Sequence, residues 1–153
     1  MSTVPEGLRR AAPNDLRVVR ALIMQAYGGY LRQLGVRPGP MDDDYASLIA
    51  QHRVQVVERG GALLALLVLI PQPDAMLLDN IAVAPQVQGT GLGKALMRYA
   101  EQRAMEAGFQ TIRLYTHARM TRNQAIYAAA GYQQTRRIIE RGLDRVYMEK
   151  RLD

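Results

Sequence analysis

Residues 81–94 read Ile-Ala-Val-Ala-Pro-Gln-Val-Gln-Gly-Thr-Gly-Leu-Gly-Lys, an apolar run that passes through alternating glycines into a segment with helical periodicity. No other stretch constrains the fold as much. An apolar run with no polar face belongs in the interior of a sheet covered on both sides. The helix that follows carries Leu92, Ala95, Leu96, Tyr99, Ala100, Ala104 and Ala107 on one side, with Gly108 placed to end it. Glycines at 89, 91 and 93 weaken such a helix start unless the backbone itself is used. Strand, glycine turn and helix together present unpaired N–H groups and the positive end of a helix dipole, a geometry that holds phosphate. Spacing excludes two familiar phosphate loops. A Walker A loop ending at Gly93 and Lys94 would need a glycine where Gln88 stands and a hydroxyl where Ala95 stands. A dinucleotide fingerprint starting at Gly89 would need a glycine where Lys94 stands.

The remainder divides into short elements. Residues 8–12 read as a first strand, after which Asn14 or Asp15 caps a helix bearing Leu16, Val19, Leu22, Ile23 and Ala26, loosened at Gly28 and Gly29. Pro38, Gly39 and Pro40 bar helix from 35–41, and Asp42, Asp43 and Asp44 suit the first turn of a second helix through Ile49. Residues 54–58 and 62–70 are strand-like runs joined by Arg59, Gly60 and Gly61; residues 76–83 form a central strand interrupted by Asp79 and Asn80. Residues 111–116 alternate as a strand, 121–130 form an alanine-rich helix closed by Gly131, and 132–140 with 143–152 finish as a hairpin. The order is βααβββαβαββ, an α/β (α+β) mixed sheet. With 153 residues and neither repeat nor linker, the expectation is a single domain over 1–153.

The pattern Gln88-x-x-Gly91-x-Gly93 resembles the acetyl-coenzyme A loop of the GNAT superfamily of N-acetyltransferases. A second motif, Leu114-Tyr115-Thr116-His117, Met120-Thr121, Asn123, Tyr127 and Gly131-Tyr132, is similar to the strand, helix and strand of the far wall of that family's coenzyme cleft. The two occur in the family's order, separated by a helix and a strand. The resemblance implies a GNAT-like fold with acetyl-coenzyme A as co-substrate. It also implies Ile81, Ala82 and Val83 along the pantetheine arm, and Gln88, Gly89, Thr90, Gly91, Leu92, Gly93 and Lys94 around the pyrophosphate. Asn123, four residues before Tyr127, stands closer than in many members and is carried as a coenzyme contact.

Acetyl transfer to an amine needs a neutral amine, a polarised carbonyl and an acid for the departing thiolate. Tyr127 matches the tyrosine that many members use as that acid; with an ordinary pKa of about 10 it stays protonated and can serve a thiolate whose conjugate acid lies near ~8.5. Backbone N–H groups near Ile81 to Val83 can hold the thioester oxygen. Asp79, two residues before Ile81 and on the same face in regular geometry, is the candidate base, with His117 in reserve. Tyr27, Tyr30 and Tyr45 flank the Pro/Gly segment where these enzymes build the acceptor pocket, and Tyr30, Asp44 and Tyr45 are the candidate acceptor contacts.

With no cysteine, an acetyl-cysteine intermediate, thiolate metal sites and disulfides are excluded, so direct attack in a ternary complex is expected. Two histidines without HExxH spacing give no support to a metal. A formal charge of +6 suits a polyanionic partner, and a coenzyme accounts for it without nucleic acid. The first ten residues lack an apolar signal core and no run is long enough to cross a membrane, so cytoplasmic residence is expected. The reading is an acetyl-coenzyme A-dependent N-acetyltransferase acting on a primary amine of a small molecule, with a homodimer left open. The alternatives are a non-catalytic acetyl-coenzyme A sensor and a basic nucleic-acid-binding module.

Overall fold

Apolar runs and turn glycines assemble into one mixed sheet in the computed structural model, which describes residues 4–35 and 37–153. Its strands are β1 (Leu8–Arg10), β2 (Val54–Arg59), β3 (Ala62–Pro71), β4 (Met76–Val83), β5 (Thr111–His117), β6 (Gln133–Glu140) and β7 (Leu143–Arg151), in the spatial order β1-β2-β3-β4-β5-β7-β6. The helices are α1 (Leu16–Leu34), α2 (Tyr45–Ala50), α3 (Leu92–Glu106) and α4 (Thr121–Ala129). The expected element order holds throughout. Most strand and helix ends move by a residue or two, as frayed termini do, but α1 runs on to Leu34 and α2 starts only at Tyr45.

Two apolar layers cover the sheet. On one face, Leu92, Leu96, Met97, Ala100 and Ala104 of α3 pack on Leu67, Met76, Leu78, Ile112, Leu114 and Met148. On the other, Val19, Leu22 and Ile23 of α1 and Tyr45 and Ile49 of α2 pack on Val54, Val56, Leu66, Val68 and Ala82. This packing carries α1 straight through Gly28 and Gly29, where the sequence suggested a loosened helix. A glycine costs only about 1 kcal/mol in a helix interior, less than the buried face supplies. Gly35, at φ 63°, ends the helix with its N–H donating to Leu31 O at 3.1 Å.

The functional geometry comes from β4. It pairs with β5 in parallel only at Met76, Leu77 and Leu78, after which the two strands part. At that point the β3 register slips: Val68 faces Asn80 while Leu69 faces Leu78, so Asp79 is an extra, bulged residue. The bulge exchanges the faces. Met76 and Leu78 pack under α3 before it, and Ile81 and Val83 after it, while Ala82 and Ala84 turn toward α1. Asp79 therefore does not share a face with Ile81, as regular alternation predicted. It turns to Tyr115, which alternates away from the α3-facing Leu114.

The acidic run also resolves differently from a helix first turn. Residues Gly39–Asp42 form a 3-10 turn in which Asp42 pairs with Arg37 at 2.9 Å. Asp44 caps α2 by accepting the Ser47 N–H at 3.1 Å. Asp43, between them, turns inward.

Candidate active site

The parting of β4 and β5 opens a cleft of about 620 Å³, bounded by β4, the glycine loop, the start of α3, α1 and α4. Its size suits a cofactor-sized ligand. A second cavity, of about 40 Å³, lies on the far side among Asp79, Tyr115, His117, Arg145 and the Pro38–Pro40 segment. Tyr27, Ile81, Asn123 and Tyr127 line both.

The β4 backbone faces the cleft by simple alternation. Ala84 N–H donates to Leu64 O at 2.8 Å, so in an antiparallel ladder Ala82 also pairs inward with β3, while Ile81 and Val83 present their N–H and C=O groups to the gap. Side chains confirm the direction: Tyr27 OH donates to Ile81 O at 3.0 Å and Gln88 Nε2 to Val83 O at 3.1 Å. Of the three residues expected along an extended ligand, Ile81 and Val83 offer backbone groups. Ala82 lines the cleft wall with its own ladder bonds made.

Within the loop the expected residues divide by what they do. Gln88 braces β4, and Thr90 Oγ1 donates to Val87 O at 2.6 Å, so both side chains shape the turn. Gly89 and Gly91 have φ of 81° and 89°, which L side chains rarely adopt, and Gly91 stands at the N-cap of α3. Gly93 and Lys94 line the cleft. Leu92, by contrast, is buried in the core beneath α3, which leaves only its amide for the loop. Arg122, on α4, stands at the cleft as well. Its place across from the loop had no local signal.

Tyr127 projects from α4 toward the junction of the two cavities. Its ring lies edge-on to Tyr132 at 6.2 Å, and its hydroxyl has no hydrogen-bond partner among the described residues. Burial, with Tyr30 adding to it, pushes its pKa up to about 12, so it is a proton donor throughout the physiological range. Tyr30 donates to Asn123 Oδ1 at 3.3 Å, joining α1 to α4 across the cleft.

On the other side, Asp79 Oδ1 accepts the Tyr115 hydroxyl at 2.8 Å. Arg145 stacks on the Tyr115 ring at 4.3 Å and donates to Glu140 at 2.9 Å. A Cβ on Gly39 would lie 3.0 Å from the Arg145 Nη2, so the Pro-Gly-Pro segment packs closely against the guanidinium. Asn80, buried on the same face as Asp79, accepts from Tyr27 OH and donates to Tyr45 OH at 3.1 Å. Tyr45 in turn donates to Pro40 O at 2.5 Å. This chain ties α1, β4 and α2 together. Tyr45 is a buried brace behind the cavity, and the capping Asp44 is outside its lining; of the three acceptor candidates only Tyr30 reaches a cleft.

His117 lines the small cavity, but its Nδ1 accepts the Arg119 N–H at 3.0 Å. Burial holds its pKa below the usual value. The neutral ring then carries its proton on Nε2 and offers a donor, which removes it as a base. Arg9, Arg37, Arg103, Arg113, Arg137 and Arg145 each pair with a carboxylate. Among the described residues no group of His, Cys, Asp or Glu could hold a metal, and no helix is long and apolar enough to cross a membrane.

Residues 19–132 match the model of the Acetyltransferase (GNAT) family. A PaiA N-acetyltransferase from Thermoplasma acidophilum, in complex with coenzyme A, superposes with a TM-score of 0.77 at 16% identity over 94% of this chain and 97% of that one. N-acetylglutamate synthase from Neisseria gonorrhoeae, complexed with coenzyme A and N-acetyl-glutamate, gives 0.75 at 19% identity over 95% of this chain and 35% of that one. In sequence, the chain is 34% identical over 65 residues to N-alpha-acetyltransferase 80 of Mus musculus, a match covering 42% of this chain and 19% of that protein.

Proposed function

The chain belongs to the GNAT acetyltransferase family, and we propose that it transfers the acetyl group of acetyl-coenzyme A to a primary amine of a small acceptor, by direct attack in a ternary complex. The observation that carries this reading is the meeting of a large and a small cavity at Ile81 and Tyr127. A coenzyme in the larger cleft and an amine in the smaller cavity converge there without a covalent enzyme intermediate.

In this reading the pyrophosphate lies against the N–H groups of Gly89 to Gly93 at the positive end of α3, beside Lys94 and Arg122, with Gln88 and Thr90 holding the turn. The pantetheine arm pairs with the backbone of Ile81 and Val83 beside Ala82, and Asn123 borders it. The amine enters from the Asp79 side and gives a proton to that carboxylate. Its nitrogen attacks the thioester carbon, whose oxygen is held by an amide of the Ile81 to Val83 stretch. As the C–S bond breaks, sulfur takes the Tyr127 proton. The burial that raises the tyrosine also destabilises the thiolate, so the two stay matched as donor and acceptor.

A cavity of about 40 Å³ accepts only the narrow end of an acceptor, an aminomethyl-sized group, with the rest outside. The test combines two measurements. Acetyl-coenzyme A should raise the melting temperature, as any ligand selective for the folded state does. A screen of diamines, aminoglycosides, amino acids and peptides with free α-amino groups, read by thiol release, should then find turnover. Absence of any coenzyme-induced shift rejects the cofactor reading. Binding without thiol release from any amine favours the sensor.

A further inference from the structure

The β4 bulge turns Asp79 and Asn80 to the same face, and Asp43 reaches that face from the segment between the 3-10 turn and α2. Its carboxyl stands near enough to that of Asp79 for the two charges to oppose each other. Tyr115 already donates to Asp79 Oδ1, so a second donor from Asp43 would complete the carboxylate's surroundings. Asp43 Oδ2 is itself buried and, as an acceptor, has no partner among the described residues. A proton held between the two carboxyls would give this buried group a hydrogen bond and remove one of two opposed charges.

The charges around the pair do not remove the need for that proton. Arg145 of β7 and Arg141 of the β6–β7 turn face Asp43, but Arg145 is engaged by Glu140 and stacked on Tyr115. Tyr45 of α2 and Tyr115 of β5 face both carboxyls, and both phenols are themselves pushed up by burial and by these acids. Of two neighbouring carboxyls, the second gives up its proton only above the usual carboxylate range.

We propose that Asp43 is a positioning residue for the proton acceptor: its carboxyl and that of Asp79 share one proton at rest, and the pair, not Asp79 alone, receives the proton of the incoming ammonium. The proposal rests on the reading of Asp79 as the base. In the reacting form both carboxyls are ionised. One N–H bond of the ammonium breaks, one O–H bond forms within the pair, and the freed nitrogen lone pair attacks the thioester; as the C–S bond breaks and sulfur takes the Tyr127 proton, the adduct nitrogen gives up its extra N–H proton, which returns the tyrosinate to the phenol. The pair passes from doubly to singly negative as the amine passes from cation to neutral, and the shared proton later leaves to solvent. Burial and the neighbouring Asp79 hold Asp43 up at about 7, so the reacting form grows in across neutral pH.

The test is a carbon-13 titration of the aspartate carboxyls in the coenzyme-free protein. The Asp43 carboxyl should show a coupled titration with a step near neutral, not that of an ordinary isolated aspartate. Asp43→Asn should abolish the step near neutral, and Asp43→Glu should restore it. Independent, ordinary titration of Asp43 in the wild-type protein overturns the proposal without recourse to any variant. On the best amine of the acceptor screen, Asp43→Asn should move the ascending limb of kcat/KM to lower pH, with Asp42→Asn as an unmoved control. An unmoved limb in Asp43→Asn alongside lost turnover in Asp79→Asn overturns the pair and keeps Asp79 as base. Full turnover in Asp79→Asn overturns the base reading and the pair with it.

Discussion

Removing one oxygen separates the chemical role proposed for Tyr127 from its structural one. Tyr127→Phe keeps the ring, its edge-on contact with Tyr132 at 6.2 Å and its place in the α3-side core. The hydroxyl makes no hydrogen bond to the described residues, so its loss breaks none, and the folded state should change by no more than about 0.5 kcal/mol. Coenzyme affinity should change little for the same reason. The rate should not be spared: a positioned proton donor contributes about 10²–10⁴-fold, which is about 3–5 kcal/mol of barrier. The assay is single-turnover thiol release with saturating acetyl-coenzyme A, run beside a thermal melt and a coenzyme titration. Because burial holds this phenol at about 12, the wild-type rate should show no alkaline fall below about pH 10 that Tyr127→Phe abolishes. Single-turnover rates within about threefold of wild type, in a variant that melts and binds normally, would refute the general-acid reasoning.

The loop, the buried network and the acidic pair give three more expectations. Gly91→Val forces a β-branched residue into φ 89° at the start of α3, which should cost about 1–2 kcal/mol, lower the melting point by a few degrees and weaken acetyl-coenzyme A binding more than about tenfold by calorimetry. Asn80→Leu should destabilise by about 1–3 kcal/mol in urea unfolding, because the buried Tyr45 oxygen loses its donor and Tyr27 OH is left with Ile81 O alone. For Asp43 the folded-state pKa is raised to about 7, so the folded protein binds more protons than the unfolded chain between the two values. Its contribution to stability therefore falls as pH rises from about 4 to about 7, and Asp43→Asn should gain on wild type across that window. A stability difference between the two that stays constant with pH would contradict the raised pKa.

Much of the molecule was legible in order of appearance. Glycines at 89, 91 and 93 after an apolar run announce a backbone-lined turn at a helix start, because local steric rules fix what glycine permits. Periodicity gave α3 its buried face, and the spacing of Asn123, Tyr127 and Gly131 marked the opposite wall. These signals are local, and local rules survive folding.

Tertiary structure decided everything that depends on which strand lies beside which. Alternation alone put Asp79 on the Ile81 face, but the bulge against β3 reversed it, and a register slip depends on the partner strand rather than on the sequence of β4. The acidic run Asp42, Asp43 and Asp44 reads as one feature in sequence. In the fold it is an ion pair, an inward carboxyl and a helix cap, because three adjacent residues at a turn point in three directions. Tyr45 became a brace for the same reason: α2 packs it beneath Asn80. The approach of Asp43 to Asp79, and the insertion of β7 between β5 and β6, are long-range contacts. Residue type fixes what each side chain can do, but only the packed sheet brings a proton-sharing partner within reach.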